Sequence, residues 1–278
     1  MDVVERSLSD GAAAVPIEVS SDLRGFGKPR RSGSGFQRAK RRAWRMSLRA
    51  RFLLFQRHRH NAVVLETIAG RPILVLPEVL NPKLFVTGEF LAETLSQDAG
   101  SHANSALSQS PSALIPPGSS VLDMGTGSGV GAVFAARRAS RVVAVDVNPA
   151  AVRCARINAL LNHVDDRVEV VEGDLFEPVA GQRFDVILFN PPYFPGKPRT
   201  DFERALWSDG LDERFATGLG DHLQPGGIAL LLLSSAGEEQ AWLNALSTAG
   251  YQADAVARRD LLSEVLTIYR VRWVGSLR

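Results

Sequence analysis

From residue 120 onwards, short apolar runs alternate with longer segments in which apolar residues recur at every third or fourth position. The apolar runs predict β-strands over residues 120–124, 141–146, 168–172, 184–189, 228–234, 251–257 and 265–274. The longer segments predict helices over residues 129–139, 149–162, about 211–222 and 237–249. Alternation of strands and helices is typical of a mostly parallel sheet that is covered on both faces.

The last two predicted strands are connected differently from the others. Residues 258–264 between them are too few for a crossover helix, so these two strands are expected to pair in antiparallel fashion. Residues 223–227 are rich in proline and glycine and are expected to form a turn before the fifth strand. The predicted fold class is therefore α/β, with a seven-stranded, mostly parallel, Rossmann-like sheet whose last strand is antiparallel.

The segment before the sheet changes composition along its length. Residues 1–35 interleave glycine with serine and arginine, which is typical of a flexible segment. Residues 36–58 carry aromatic and aliphatic side chains at helical spacing with arginines between them, which predicts a basic amphipathic helix. The residues that form this apolar stripe are Phe36, Trp44, Leu48, Phe52 and Phe55.

Two short apolar runs, residues 62–67 and 72–76, flank a turn and predict a β-hairpin. Thr87 then has the position of a cap for a helix that begins at residue 88 or 89. The predicted organisation comprises three parts: a flexible segment over residues 1–35, an extension with the basic helix and the hairpin over 36–83, and the sheet domain over 84–278.

The charge of the chain is distributed unevenly. Residues 24–59 contain thirteen Lys or Arg and no Asp or Glu, leaving 19 basic and 30 acidic residues, a formal charge of −11, in the rest of the chain. Such a basic segment suits contact with phosphate groups or with another acidic surface. The alternative is a docking helix whose arginines are simply solvated.

Composition also limits the compartment and the class of protein. The chain has 278 residues and one cysteine, Cys154, which is expected to be a buried side chain in a reducing compartment such as the cytoplasm. No apolar run approaches the ~18 residues that indicate a membrane span, and the amino terminus lacks the pattern of a signal peptide. No metal site is expected, because the histidines lack a Cys/His partner set.

A glycine-rich loop follows the first predicted strand of the sheet. Its candidate ligand-binding residues are Asp123, Gly125, Thr126, Gly127 and Gly129. The glycines allow close approach of a ligand, and the N–H groups of the following helix point into the site. The loop also fits a dinucleotide pattern, but a carboxylate at Asp123 would repel a pyrophosphate. It would instead attract a cation, such as the ammonium group of S-adenosylmethionine.

Two further acids end the next two strands. Asp146 is placed to accept hydrogen bonds from both ribose hydroxyls, with Val147 beside it and Asn148 as the helix cap. Asp174 is placed to accept from the amino group of an adenine, with Leu175 adjacent. The carboxyl ends of parallel strands share one edge of a sheet, so these acids are expected to surround one ligand.

The fourth strand runs into the sequence Asn190, Pro191, Pro192 and Tyr193. Two prolines end the strand and hold Asn190 extended at the binding edge. The Asn190 side-chain oxygen and the Pro191 carbonyl are two acceptors that suit a planar NH2 group. Tyr193 and Phe194 offer rings to cover a flat substrate.

These motifs, in this order, resemble class I S-adenosylmethionine-dependent methyltransferases that methylate amino groups. The resemblance covers about residues 84–274 and is greatest to the protein-glutamine N5-methyltransferases that act on release factors. It implies that S-adenosyl-L-methionine is the methyl donor and that residues 190–193 bind the acceptor amide, with Asn190 contacting the methyl donor as well. It also implies that Thr87 and Glu89 help to close the site.

The implied activity is N-methylation of a planar amino group, with a protein glutamine amide as the favoured acceptor. Methylation of a nucleobase amino group, adenine N6 or guanine N2 in RNA or DNA, is the alternative within the same chemistry, and the basic segment would then contact phosphates. A non-catalytic binding module with this fold and an NAD-dependent oxidoreductase are the alternatives from other classes.

Overall fold

The computed structural model describes residues 62–100, 113–196, 207–208, 210–261 and 264–275. The predictions for the flexible segment and the basic helix therefore lie outside the described residues. Within the described ranges, the elements follow the predicted order of strands and helices. None of the described helices combines the length and apolarity that a membrane crossing requires.

A small hairpin precedes the main sheet. Strands β1 (Val64–Ile68) and β2 (Arg71–Val75) pair in antiparallel fashion, as predicted. Helix α1 (Thr87–Gly100) follows and begins at Thr87 itself, so this residue is the first of the helix rather than the cap that precedes it. Its apolar face, including Phe90, Leu91 and Leu95, is buried.

Seven strands form the main sheet. They are β3 (Ser120–Met124), β4 (Arg141–Asp146), β5 (Val168–Glu172), β6 (Phe184–Phe189), β9 (Leu223–Ser234), β10 (Tyr251–Leu261) and β11 (Glu264–Trp273). Their spatial order is β10-β11-β9-β6-β3-β4-β5. Strands β9, β6, β3, β4 and β5, which are neighbours in this order, are mutually parallel. Strand β11 is antiparallel to both β9 and β10. The predicted α/β class with its antiparallel last strand is confirmed.

Helices cover both faces of this sheet. They are α2 (Val130–Ala135), α3 (Pro149–Leu161), α4 (Leu211–His222) and α5 (Glu239–Thr248), and a 3-10 turn spans Glu177–Val179. Two short strands, β7 (Phe194–Pro195) and β8 (Trp207–Ser208), pair outside the main sheet. The core residues fall into two clusters, one on each side of the sheet, because the central strands bury apolar side chains on both faces.

Three further local predictions were wrong. Residues 223–227 belong to β9 instead of a separate turn, since Leu223 already pairs with Phe184 of β6. Helix α2 ends at Ala135, four residues earlier than predicted. Strands β10 and β11 extend across the predicted connection and leave only residues 262 and 263 between them.

Candidate active site

A cavity of about 410 Å³ opens at the carboxyl edge of β3, β4 and β6. This is the edge at which parallel α/β sheets bind their ligands. The cavity is bounded by the glycine-rich loop, by the residues that follow β4, β5 and β6, and by a segment between the hairpin and α1. Its volume falls within the range that is usual for small-molecule sites.

The glycine loop has a backbone shape that favours glycine. Gly125, Gly127 and Gly129 have φ angles of 62°, 55° and 81°, in the left-handed region. Gly125 and Gly127 line the cavity together with Thr126. Gly129 lies behind it and caps α2, where a Cβ atom would stand 2.8 Å from the Cα of Ala155 in α3. The loop therefore depends on glycine both for its turns and for its packing.

Asp123 does not occupy the position that the sequence suggested. Its side chain is 4% exposed and is not among the groups that line the cavity. One carboxylate oxygen accepts from the Thr126 hydroxyl at 2.5 Å and from the backbone N–H of Ala132 at 2.8 Å. Burial raises the pKa of Asp123 to about 6, against these two hydrogen bonds, which lower it. Asp123 thus holds the loop onto the start of α2 from inside the fold.

Asp146 faces the cavity at the end of β4. Its two oxygens accept from the backbone N–H of Gly127 at 2.8 Å and of Asn148 at 2.9 Å. Burial raises the pKa of this carboxyl above its usual value, and the backbone N–H groups that it accepts from lower it. Asn148 caps α3 by accepting from Ala150 N at 2.9 Å, as predicted. The carboxylate has lone pairs beyond those that the backbone N–H groups use, so it can also accept from a hydroxyl donor.

Asp174 lies at the rim of the cavity, where it meets a residue that sequence reasoning did not consider. Its carboxylate accepts from Arg214 of α4 at 2.9 Å, and both side chains are partly exposed. Leu175 beside it lines the cavity with φ 48°. One oxygen of Asp174 is therefore already engaged by a guanidinium.

The motif after β6 contributes Asn190, Pro191, Pro192 and Tyr193 to the cavity wall. The Asn190 amide group donates to the hydroxyl of Thr87 at 3.4 Å. Its oxygen accepts from the hydroxyl of Tyr193. Burial raises the pKa of the Tyr193 phenol well above its usual range, so it remains a neutral donor. Two hydroxyls thus fix the plane of the Asn190 amide. The sequence predicted only that the Tyr193 ring covers a flat substrate, so this role of its hydroxyl was not predicted.

The opposite wall comes from a segment that sequence reasoning assigned mainly to the extension. Glu78, Val79, Leu80, Asn81, Pro82, Phe85, Thr87 and Gly88 line the cavity. Gly88 is packed so closely that a Cβ atom would lie 2.4 Å from that of Pro82. We refer to residues 78–88 as the acceptor wall. No periodicity or motif in the sequence marks residues 78–82 as part of a site.

The structure brings together most, but not all, of the predicted site residues. Val147 lines the cavity beside Asp146. Glu89 does not line it, although it lies in the first turn of α1 next to residues that do. Phe194 begins β7, and only its backbone is described. Among the described residues, no group of three or more His, Cys, Asp or Glu side chains has an arrangement that could hold a metal ion.

The strand order and the position of the cavity are those of a class I S-adenosylmethionine-dependent methyltransferase. A model of the methyltransferase small domain matches residues 96–249, more than half of the chain. The chain therefore belongs to the methyltransferase small domain family and is an S-adenosylmethionine-dependent enzyme.

Curated relatives share this domain. A Methanocaldococcus jannaschii protein, provisionally named protein N5-glutamine methyltransferase, is 37% identical over 157 residues, covering 53% of this chain and 78% of that protein. A release factor glutamine methyltransferase of Geobacter sulfurreducens is 35% identical over 153 residues, covering 49% and 52%. The chain thus spans only about half the length of the Geobacter relative. A tRNA1(Val) (adenine(37)-N6)-methyltransferase of Porphyromonas gingivalis is 39% identical over 80 residues, covering 26% and 31%.

A solved structure supports the fold. The 16S rRNA N2 G1207 methyltransferase of T. thermophilus, in complex with AdoMet and guanosine, superposes with a TM-score of 0.50 at 22% identity. The superposition covers 76% of this chain and 50% of that chain.

The residues at the cavity fit S-adenosylmethionine. Left-handed glycines leave the loop without side chains at Gly125 and Gly127, so a ligand can approach the backbone. Asp146 presents free carboxylate lone pairs of the kind that ribose hydroxyls require, and Asp174 does so at the rim. The protein groups at the cavity are rich in oxygen and carry negative charge. They match a cationic sulfonium compound that has several hydrogen-bond donors.

Proposed function

We propose that this enzyme methylates the side-chain amide nitrogen of glutamine in a protein. The observation that carries the proposal is the position of Asn190 and Pro191, which line the same cavity as the glycine loop. An amide oxygen and a proline carbonyl beside the donor site select a planar NH2 group, because both acceptors need a donor hydrogen. Gly125, Gly127, Asp146, Val147, Asp174 and Leu175 are proposed to hold the donor.

Bound S-adenosylmethionine supplies a sulfonium methyl group that needs no activation. The acceptor nitrogen is the weak partner, since its lone pair is delocalised into the amide. The Asn190 side-chain oxygen and the Pro191 carbonyl accept hydrogen bonds from its two N–H groups. This directs the nitrogen lone pair towards the methyl-donor side of the cavity. The same two oxygens stabilise the positive charge that grows on nitrogen during transfer. As the N–CH3 bond forms and the S–CH3 bond breaks, the donor would leave as a neutral thioether. One N–H proton would then pass to water after transfer, so no dedicated base is proposed.

Tyr193 and Thr87 hold the Asn190 side chain in this arrangement. The Tyr193 hydroxyl occupies one lone pair of the Asn190 oxygen and leaves the second for the acceptor. The Thr87 hydroxyl accepts a hydrogen bond from the Asn190 amide group, and this bond joins the acceptor wall to the end of β6. Alignment of acceptor and donor within one enclosed site contributes much of the remaining rate enhancement.

The choice of a protein acceptor rests on the relatives. The Methanocaldococcus and Geobacter proteins carry names for glutamine methylation, and the chain covers 78% of the first. A release-factor-like protein is therefore the partner we propose. The single cysteine is the reason for placing this reaction in a reducing compartment, the cytoplasm.

Methylation of a nucleobase amino group is the second candidate. The Porphyromonas relative is named for adenine N6 methylation, and residues 24–59 carry thirteen basic side chains without an acid. An exocyclic amine would use the same two acceptors as an amide. A steep fall of substrate affinity with salt would favour this acceptor over a protein.

Transfer of tritium from labelled donor into fractionated cell extract tests the proposal. The label is expected in the protein fraction, and mass spectrometry of the digest should locate one methyl group on a glutamine amide. Label that enters RNA or DNA as a methylated amino group would establish the second candidate instead. Donor binding without transfer to either fraction would leave only a binding module and would reject both.

A further inference from the structure

Asn158 of α3 is a buried carboxamide that joins two parts of the cavity without lining it. The side chain is 0% exposed. Its oxygen accepts from the N–H of Leu74 in β2 at 2.7 Å, and its amide donates to the Leu74 carbonyl at 2.6 Å. Asn158 therefore pairs with β2 as a neighbouring strand would. The second amide hydrogen goes to the carbonyl of Ser128 at 2.8 Å.

Ser128 belongs to the donor side of the cavity. It lies inside the glycine loop and lines the cavity. Helix α3 is pressed against this loop one turn earlier, because a Cβ atom on Gly129 would come within 2.8 Å of Ala155. One face of α3 thus contacts the loop through close backbone packing at Ala155 and through a hydrogen bond at Asn158.

Leu74 belongs to the strand that leads into the acceptor wall. Only four residues further on, Glu78 lines the cavity with φ 64°, and its carbonyl accepts from the Asn148 amide at 2.9 Å. Val86 in the same wall has φ 60°, an unfavourable value for a β-branched residue. Strained backbone of this kind persists only where surrounding contacts hold it. The hydrogen bond from Asn148, at the start of α3, to the Glu78 carbonyl is such a contact.

We infer that Asn158 is a positioning residue that couples the glycine loop to the acceptor wall. It touches neither donor nor acceptor, yet its three hydrogen bonds connect the backbones that enclose both. Removal of the carboxamide would take their partner from the Leu74 N–H and from the Ser128 carbonyl, and would leave the Leu74 carbonyl with only the Cys154 thiol. The loop and the wall would then adjust independently, and the donor site would lose its preformed shape. The inference extends the proposed function but concerns the donor side, which does not depend on the acceptor's identity.

Asn162 provides a matched control on the same helix. It is also buried. Its amide donates to the Pro72 carbonyl of β2 at 2.8 Å and to the backbone carbonyl of Asn158 at 3.0 Å. Unlike Asn158, it makes no hydrogen bond to the glycine loop. Asn162→Ala therefore loosens the hairpin as Asn158→Ala does, while the bond to Ser128 remains.

Calorimetric titration with S-adenosylmethionine and thermal melting of both variants test the inference. Asn158→Ala is expected to weaken donor binding at least tenfold. Asn162→Ala is expected to change donor affinity less than twofold, although its melting temperature also falls. Unchanged donor affinity in Asn158→Ala, or an equal loss of affinity in both variants, would overturn the inference and leave Asn158 with a purely structural role.

Hydrogen exchange of the unmodified protein gives a test that does not depend on how a variant folds. Donor addition is expected to slow amide exchange in residues 72–78 as well as in residues 125–129. Protection confined to residues 125–129 would contradict the coupling. A wild-type protein that binds no donor would overturn the proposed function and this inference together. A donor-binding protein that methylates no glutamine would remove only the proposed acceptor.

Discussion

The parts of the cavity that we propose for the methyl donor and for the acceptor, which we call the donor half and the acceptor half, are built by different means. The donor half comes from the ends of three strands that follow one another in the chain, and backbone groups and acids set the shape of its glycine loop. The acceptor half joins Thr87 to Asn190, which are 103 residues apart, through a side-chain hydrogen bond. The donor half therefore depends on backbone geometry, and the acceptor half depends on side chains from distant parts of the chain.

This difference has a functional consequence. A donor that is common to many methyltransferases can be held by one geometry of loop and strand ends. An acceptor that varies between enzymes is better met by side chains on a separate wall, since these can change without disturbing the donor site. Substitutions in the two halves should accordingly alter different kinetic constants.

The largest effect is expected from Asn190→Ala in the acceptor half. Loss of one preorganised acceptor should lower kcat by about 100-fold or more, as removal of a single charge-stabilising group commonly does. Donor affinity should remain within twofold, because the glycine loop is intact. Steady-state kinetics with labelled donor and calorimetric titration measure the two quantities, and Asn244→Ala on the exposed face of α5 is the control. Equal loss of turnover and donor affinity would abolish the distinction between the halves.

Asp146→Ala in the donor half should give the opposite result. The carboxylate would no longer hold Gly127 N or accept from the ribose, and hydrogen bonds to charged groups contribute ~1.5–3 kcal/mol each. Donor affinity should fall by at least about tenfold, while kcat at saturating donor changes much less. Asp166→Ala, at an exposed carboxylate, serves as the control. If kcat falls and donor affinity does not, Asp146 acts in the acceptor half.

The donor half and the sheet could be predicted from sequence for the same reason. Strand patterns such as residues 184–189 and turn-forming glycines are local signals, and the parallel fold brings their carboxyl ends together. Asp123 was misplaced because the sequence shows that an acid ends β3 but not which way it points. Residues 78–82, Asn158 and Arg214 could not be found, since their roles arise from contacts across 40 to 84 residues of chain.

Two glycine substitutions measure how rigid the donor half is. Gly129→Ala places a Cβ atom 2.8 Å from Ala155 Cα at φ 81°, whereas Gly118→Ala meets nothing within 4 Å at φ 77°. Both should lose ~1–2 kcal/mol of unfolding free energy to the left-handed backbone. Gly129→Ala should lose a further ~1–3 kcal/mol to overpacking. Denaturant unfolding measures the difference between the two variants. Equal losses would show that α3 shifts to make room for the Cβ atom at residue 129.

The buried charge of the donor half should appear in the pH dependence of stability. Because the pKa of Asp123 is raised to about 6 in the fold, its protonated form favours folding, and its contribution falls as the pH rises from about 4 to 6. Asp123→Asn does not titrate. Its unfolding free energy relative to wild type should therefore rise by about 2 kcal/mol between pH 4.5 and pH 7. A constant difference across this range would mean that Asp123 titrates normally.

The smallest effects are expected at the rim, where the ion pair between Asp174 and Arg214 is half-exposed. Such pairs contribute at most ~1 kcal/mol, so Arg214→Ala should change unfolding free energy by less than that. Asp174→Ala should weaken donor binding several-fold if the carboxylate accepts from adenine, whereas Arg214→Ala should leave it within threefold. Titration of both variants with S-adenosylmethionine separates the two roles. Equal losses of affinity would mean that the ion pair, rather than the carboxylate alone, shapes the rim of the donor half.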